Sequence, residues 1–342
     1  MADNRPDNIK NAPPHRVFFN WDVVYRCNYK CTYCTYTVRG WDKIPGMEIL
    51  PTHEQMVAGW KRMRQLYGCC HVMMSGGEPS ILPRFYELME EMSALHTIEL
   101  ISNLSFDAKK LLSVVGPDKL RVAASLHLNH VTPEEFLEKA LALKKAGVEV
   151  FINFVAYPPH LQRMKEIHAL FLANDIPFYI HPFTGPFNDR LYPRDYIPAE
   201  LELYQEAVNI GGRIAHNSHW LNFKKENLQP RVATKDGFAT MTPPQSVKEI
   251  KPEPIVCKMG HMYAKILPDG MTLRCCAKNE FFRSPEKISA PDLLGNIFTD
   301  PDFKMHPEPQ PCAHRSCPCD RRMKLGEESN WLDRWRIMQQ PF

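Results

Sequence analysis

The chain has 342 residues, 44% hydrophobic and 24% charged, with a net charge of +3. That is ordinary globular composition, enough for one main domain and a smaller appendage, and the charge is too mild, with basic pairs Lys109-Lys110, Lys224-Lys225 and Arg321-Arg322 too short and scattered, to mark a nucleic-acid surface. Residues 1–15 are polar without the apolar stretch of a signal peptide, and no run reaches the length of a membrane span, so a cytoplasmic protein is expected, with neither nucleic acid nor membrane as partner.

In chain order, Val17 to Tyr25 reads as a strand of β-forming residues. Thr52 to Tyr67 reads as a helix, with Thr52 and Gln55 forming a capping box and Met56, Trp60, Met63 and Tyr67 on one face. A strand from His71 to Met74 leads into Ser75-Gly76-Gly77-Glu78-Pro79, then a helix from Leu82 to Leu95 and a strand from Thr97 to Ser102. A fourth strand spans Arg121 to Leu128. The helix after it is capped by Thr132, with Pro133 in its first turn, Glu135 closing the box and Gly147 ending it. Val148 to Val155 is a fifth strand, Leu161, Met164, Ile167 and Phe171 stripe a helix, and Ile176 to His181 is a sixth strand whose Pro177 suits a sheet edge.

Six strands alternating with helices imply a parallel α/β sheet with right-handed crossovers, short of the eight strands of a closed barrel. Residues 1–15 form a polar arm and 16–185 the barrel part. Residues 186–256, with one helix over Ala199 to Ile210 and loops rich in Pro, Asn and Lys, form a connector partly covering the barrel mouth. Residues 257–342 form a second module: a hairpin from Met262 to Cys275 turning at Pro268-Asp269-Gly270, and an amphipathic helix carrying Trp331, Leu332, Trp335 and Met338.

The eleven cysteines fall into two metal-like clusters and two adjacent pairs, which in a reducing compartment favours metal ligation over disulfides. Cys69 and Cys70 read as core, and Cys276 as a spare, packed thiol. Cys27, Cys31 and Cys34 follow the first strand directly, in the kind of loop where α/β barrels place their chemistry. Three thiols leave a tetrahedral zinc site one ligand short. They suit a 4Fe–4S cluster with one iron open, since a fully ligated cubane takes four cysteines.

Cys27, Cys31, Tyr33 and Cys34 resemble the CxxxCxΦC signature of the radical S-adenosylmethionine (radical SAM) enzymes, where Φ is aromatic. The resemblance, over about residues 15–185, implies a partial (β/α)6 TIM-like barrel. It also implies that S-adenosylmethionine chelates the open iron and is cleaved by one electron to a 5′-deoxyadenosyl radical, with a flavodoxin- or ferredoxin-type protein as donor. Gly76, Gly77, Glu78 and Pro79 resemble the family's GGE(P) motif, where backbone meets the methionyl amino group. Asn103, Ser125 and His127, at the ends of the third and fourth strands, stand where similar proteins hold the ribose and methionyl carboxylate.

Cys257, Gly270 and Cys275 are similar to the opening of the SPASM and twitch modules, Cys-x(9–15)-Gly-x(4)-Cys, and Leu294-Gly295-Asn296-Ile297 to a segment seen after that hairpin. Cys312, Cys317 and Cys319 follow. Six cysteines, counting Cys276, cannot serve two full cubanes, so the resemblance implies one auxiliary 4Fe–4S cluster in a small C-terminal β-hairpin/α module. Cys257 and Cys275 would be ligands, joined by two of Cys312, Cys317 and Cys319. The expected function is a radical SAM oxidoreductase acting on a polar small molecule such as an amino sugar, because the cysteine loop starting at residue 27 leaves no room for an N-terminal peptide-recognition domain. A peptide-modifying enzyme is the alternative. The reading from another class is a non-catalytic metal-stabilised binding or electron-transfer protein, for which a fourth ligand near Cys27 to Cys34 is the discriminating feature; His15 lies upstream, and no candidate follows closely.

Overall fold

The computed structural model describes residues 17–38, 40–208, 233–234, 237–238, 255–275 and 292–312. The N-terminal arm, most of the connector, Cys276, Cys317, Cys319 and the C-terminal amphipathic helix lie outside the described residues.

Strand β1 (Phe18–Val24) leads into the cysteine loop and a single helical turn, α1 (Thr35–Val38). Helix α2 (His53–Tyr67) carries the expected capping box between Thr52 and Gln55. Strand β2 (His71–Gly76) runs two residues beyond its expected end. Helix α3 (Phe85–Leu95) starts three residues later than Leu82. Pro83 is the cause: the residue before a proline avoids the helical region, and Leu82 is extended at ψ 133. After β3 (Thr97–Ser102) comes a helix absent from the sequence reading, α4 (Ala108–Val114), capped by Asp107 accepting from the Lys109 and Lys110 amides. Seven residues are too few to display a periodic stripe, but the Asp cap was a legible start signal.

Strand β4 (Leu120–Leu126), helix α5 (Pro133–Lys145) and strand β5 (Glu149–Ala156) follow, α5 with its Thr132–Glu135 box. Then come α6 (Met164–Leu172) and β6 (Phe178–Pro182). A small hairpin, β7 (Gly185–Phe187) and β8 (Arg190–Tyr192), precedes α7 (Pro198–Val208). Two-residue strands β9 (Ala233–Thr234) and β10 (Gly237–Phe238) pair with each other. The C-terminal region supplies β11 (Ile255–Cys257), β12 (Tyr263–Ile266), β13 (Met271–Leu273), β14 (Leu293–Asn296) and β15 (Gln310–Cys312).

Strands β1 to β6 lie side by side in chain order, every pairing parallel, which is the partial barrel the sequence led us to expect. As Pro177 suggested, β6 is an edge. On the other flank β12 pairs in parallel with β1, and β13 and β14 add antiparallel strands, giving one sheet of nine strands among the described residues. The predicted hairpin is therefore continuous with the barrel sheet.

Strand alternation sorts β1 between two environments. Phe19 and Trp21 face the helical layer and meet Trp60 of α2 at ring distances of 5.5 and 5.6 Å. All three rings are fully buried, each contributing about 1.5–3 kcal/mol by the usual measure of hydrophobic burial. Asn20 and Asp22 point the other way, into a polar interior. Across its floor Arg121 bridges Glu149 at 3.0 Å and Glu99 at 3.5 Å. Among the described residues no helix is long and apolar enough to cross a membrane.

Candidate active site

The site forms where the loops after β1, β2 and β3 meet. Gly77 N–H donates to the Val24 carbonyl at 2.6 Å and Glu78 N–H to the Arg26 carbonyl at 3.0 Å, so the β2 loop is bonded to the start of the cysteine loop. That approach requires glycine. A Cβ at Gly77 would stand 1.9 Å from the Arg26 oxygen, and one at Gly76, whose φ is +125, 2.3 Å from the Val24 oxygen.

Glu78 is fully buried. Its carboxylate accepts from the Ser102 hydroxyl at 2.8 Å, the Asn103 amide at 2.8 Å and the Ser80 amide at 3.1 Å. The acidic side chain thus ties the β2 loop to the end of β3, while Pro79 begins a short 3-10 turn behind it. Asn103 in turn reaches the cysteine loop. Its Nδ2 donates to Asn28 Oδ1 at 2.9 Å and lies 3.8 Å from Cys27 Sγ, which also accepts from the Tyr29 amide at 3.3 Å. Cys27, Gly77, Glu78 and Asn103 are therefore joined by hydrogen bonds across the three loops, with Cys31 and Cys34 further along the same cysteine loop.

Tyr33 turns its hydroxyl to His127 Nδ1 at 3.1 Å, joining the cysteine loop to the end of β4. Burial, helped by His130 and His160, pushes the His127 imidazole down to about 4, so it is neutral around pH 7. An aromatic wall continues through Tyr157, 4.7 Å from Tyr33 between ring centres, to Phe183 and Phe187. Ser125 lies opposite Asn153 in the β4–β5 register, and Asn153 Oδ1 is 3.0 Å from His181 Nε2 of β6. Ser125 therefore heads a polar row that runs across β4, β5 and β6.

Sequence reasoning missed Asp22. It is fully buried on the inner face of β1, and its Oδ1 gathers Lys265 Nζ of β12 at 2.5 Å, Ser75 Oγ at 2.8 Å and Tyr36 OH at 3.1 Å. Those partners precede Gly76, follow Cys34 and sit on the C-terminal hairpin. The only available signal was a carboxylate set within an apolar strand, a rare placement unless it is paired.

The donor chemistry of the cysteine loop fits an iron–sulfur cluster. Burial pushes the Cys31 thiol up to about 12 and Cys27 above its ordinary value, with neighbouring Cys34 adding to both. Mutually opposed thiols of this kind ionise when a cationic centre arrives, releasing protons. Among the described residues no three His, Cys, Asp or Glu side chains converge where a single ion could sit. In a cubane each thiolate takes a different iron, so convergence on one point is not what it requires. In the C-terminal region Cys257 and Cys275 are buried in one small cluster with Phe18, Met259 and Tyr263. The backbone of Cys312 lies on β15, opposite Ile255 of β11.

Residues 21–123 match the Radical SAM superfamily model. A curated relative, GTP 3′,8-cyclase from Crocosphaera subtropica, is 26% identical over 129 residues; that stretch is 37% of this chain and 37% of the relative, so the match spans little more than a third of its length. Among solved structures, anSMEcpe with bound AdoMet and Cp18Cys peptide is similar with a TM-score of 0.50 at 16% identity, over 84% of this chain and 78% of that one. Streptococcus suis SuiB is similar with a TM-score of 0.53 at 15% identity, over 85% of this chain and 65% of that one. At these identities the structural likeness shows the fold, and it is the partial-barrel fold described above. Residues 21–123 are thus similar to the Radical SAM superfamily, and they lie on a partial-barrel sheet that β12, β13 and β14 of the C-terminal region extend.

Proposed function

We propose that this chain is a radical SAM enzyme that abstracts hydrogen from a residue of a polypeptide substrate. The observation carrying the radical chemistry is the three-cysteine loop of Cys27, Cys31 and Cys34, whose start is hydrogen-bonded to the Gly77-Glu78 turn and to Asn103. Cys27, Cys31 and Cys34 would hold a 4Fe–4S cluster. So held, the cluster would supply one-electron reductive cleavage of bound S-adenosylmethionine into methionine and a 5′-deoxyadenosyl fragment, the electron coming from an external flavodoxin- or ferredoxin-type donor.

The protein's own part is positioning. The carbonyls of Val24 and Arg26 are already used by the β2 loop, so the turn is held before any ligand arrives. Tyr33 and His127 form one edge of the site, with neutral His127 able to accept or donate a hydrogen bond according to its tautomer. Asn103 and Ser125 offer polar groups at neighbouring strand ends, for the ribose and carboxylate of the ligand. Tyr157, Phe183 and Phe187 line the approach with rings that exclude water.

A polypeptide substrate departs from the small-molecule expectation. It is favoured by the fold shared with anSMEcpe, a structure that holds a peptide beside AdoMet. In the C-terminal region Cys257 and Cys275, with two of Cys312, Cys317 and Cys319, would hold one auxiliary 4Fe–4S cluster, which would supply a one-electron acceptor or an anchoring point for the substrate.

The test is anaerobic reconstitution with iron and sulfide, then reductant and S-adenosylmethionine, with 5′-deoxyadenosine quantified. Cys27→Ala and Cys31→Ala proteins are expected to lose formation at least 100-fold. Adding panels of peptides and of amino sugars then separates the substrate readings. Peptides that raise deoxyadenosine above the substrate-free rate support the proposal, and stimulation by amino sugars alone overturns its substrate half.

A further inference from the structure

Arg274 precedes Cys275 by one residue and is only 3% exposed. Its guanidinium donates to three backbone carbonyls: Nε to Met259 at 2.8 Å, Nη1 to Pro311 at 2.7 Å and Nη2 to Gln310 at 2.6 Å. Met259 is two residues past Cys257. Gln310 and Pro311 lead directly into Cys312. One cation therefore joins three separate stretches of chain, each bearing a cysteine, and does so without contacting a thiol in any of these bonds.

Two further observations fit. The Arg274 amide donates to the Asp292 carbonyl at 2.8 Å, and β11 pairs with β15 so that Cys257 stands opposite Gln310. The surroundings are close-packed: a Cβ on Gly260 would stand 2.8 Å from Arg274 Cγ. A buried guanidinium is costly unless its donors are met, and charge-assisted bonds to carbonyls meet them here. Lysine keeps the charge but lacks the planar fork that addresses three acceptors at once.

We propose that Arg274 is a positioning residue of the second cysteine site, holding the segments of Cys257, Cys275 and Cys312 together before metal arrives and slowing its loss afterwards. This rests on the reading of those cysteines as an auxiliary iron–sulfur site. Groups that orient metal ligands typically cost 10–100-fold in metal affinity when removed.

The experiment uses the full-length reconstituted protein and its Arg274→Met, Arg274→Lys, Cys257→Ala and Cys27→Ala variants. Iron and sulfide per chain, the rate of iron release to excess EDTA and the electron paramagnetic resonance of the reduced protein are measured. The iron missing from Cys257→Ala defines the second site, and that missing from Cys27→Ala the first. Arg274→Met is expected to release second-site iron about 10–100-fold faster than wild type, with an altered resonance from that centre and no change at the first. Arg274→Lys, which retains the buried charge if the Met variant fails to fold, is expected to behave the same way. Wild-type release and an unchanged resonance in Arg274→Lys would overturn the proposal while leaving the auxiliary site standing. Wild-type iron content in Cys257→Ala would overturn the auxiliary site itself, and the proposal with it.

Discussion

At the scale of single residues, the site depends on buried polar groups that each serve several segments. Asp22 is the clearest case, because one carboxylate oxygen serves Tyr36, Ser75 and Lys265. Its side chain is 1% exposed and that of Lys265 13%, so removing the carboxylate leaves an uncompensated charge in the interior. Asp22→Ala is expected to cost about 3–5 kcal/mol in chemical denaturation, and deoxyadenosine formation should fall with it; a change under about 1 kcal/mol would mean the pair behaves as a surface contact. His127 yields a pH prediction. The unfolded chain takes up a proton near pH 6.5, whereas the folded imidazole resists protonation down to about 4. The folded-state value is lowered, so acid favours the unfolded chain across that window, and stability contributed by neutral His127 falls as pH drops from about 6.5 to 4. His127→Gln should flatten the decline in melting temperature between pH 7 and 5. Parallel curves for the two proteins would contradict the assignment.

At the scale of elements, the active loops are held by close backbone approach. Gly77→Ala would drive a Cβ into the Arg26 oxygen, which the β2 loop can relieve only by moving off the cysteine loop. Deoxyadenosine formation is expected to drop at least ten-fold while circular dichroism stays near wild type, and an active Gly77→Ala protein would show that the contact is dispensable. Much of this arrangement could be read in the sequence. The strand-then-cysteines order, the Thr52 and Thr132 capping boxes and the Gly-Gly-Glu turn are local signals, and local signals survive without tertiary information. Helix α4 is hard to read from sequence because seven residues show too little of a periodic stripe, and α3 starts later than its apolar pattern because Leu82 precedes Pro83. The bonds of Glu78 to Ser102 and Asn103 join residues 24 and 25 positions apart, and no spacing rule reports such partners. Asp22 was missed for the same reason: its meaning lies in partners as distant as Lys265.

At the scale of the whole molecule, the C-terminal region is built into the barrel. Strand β12 completes the flank of β1, and Arg62 of α2 donates to the carbonyls of Ile297 and Asp300 at 2.5 and 2.8 Å. Gly59 of α2 lies against the same segment, where a Cβ would stand 2.8 Å from Phe298 and 2.9 Å from the Ile297 oxygen. Ending the chain after residue 254 would uncover the β1 edge and remove Lys265 from Asp22. Such a protein should aggregate or fail to hold iron, since an exposed edge strand pairs with other chains; a soluble, iron-loaded fragment would show the barrel to be independent. The same continuity places Cys257 and Cys275 on the β1 flank, where they share a buried cluster with Phe18 of the first strand. All of this serves one claim, that three thiols after β1 hold a cluster able to open S-adenosylmethionine by a single electron. The most direct measurement is anaerobic deoxyadenosine formation by the reconstituted wild-type and Cys27→Ala proteins, with iron and sulfide counted in each. The account predicts product from the wild type, and a loss of both product and the barrel's iron in the variant. Equal product from the two proteins, or a wild type that binds zinc and no sulfide, would contradict it.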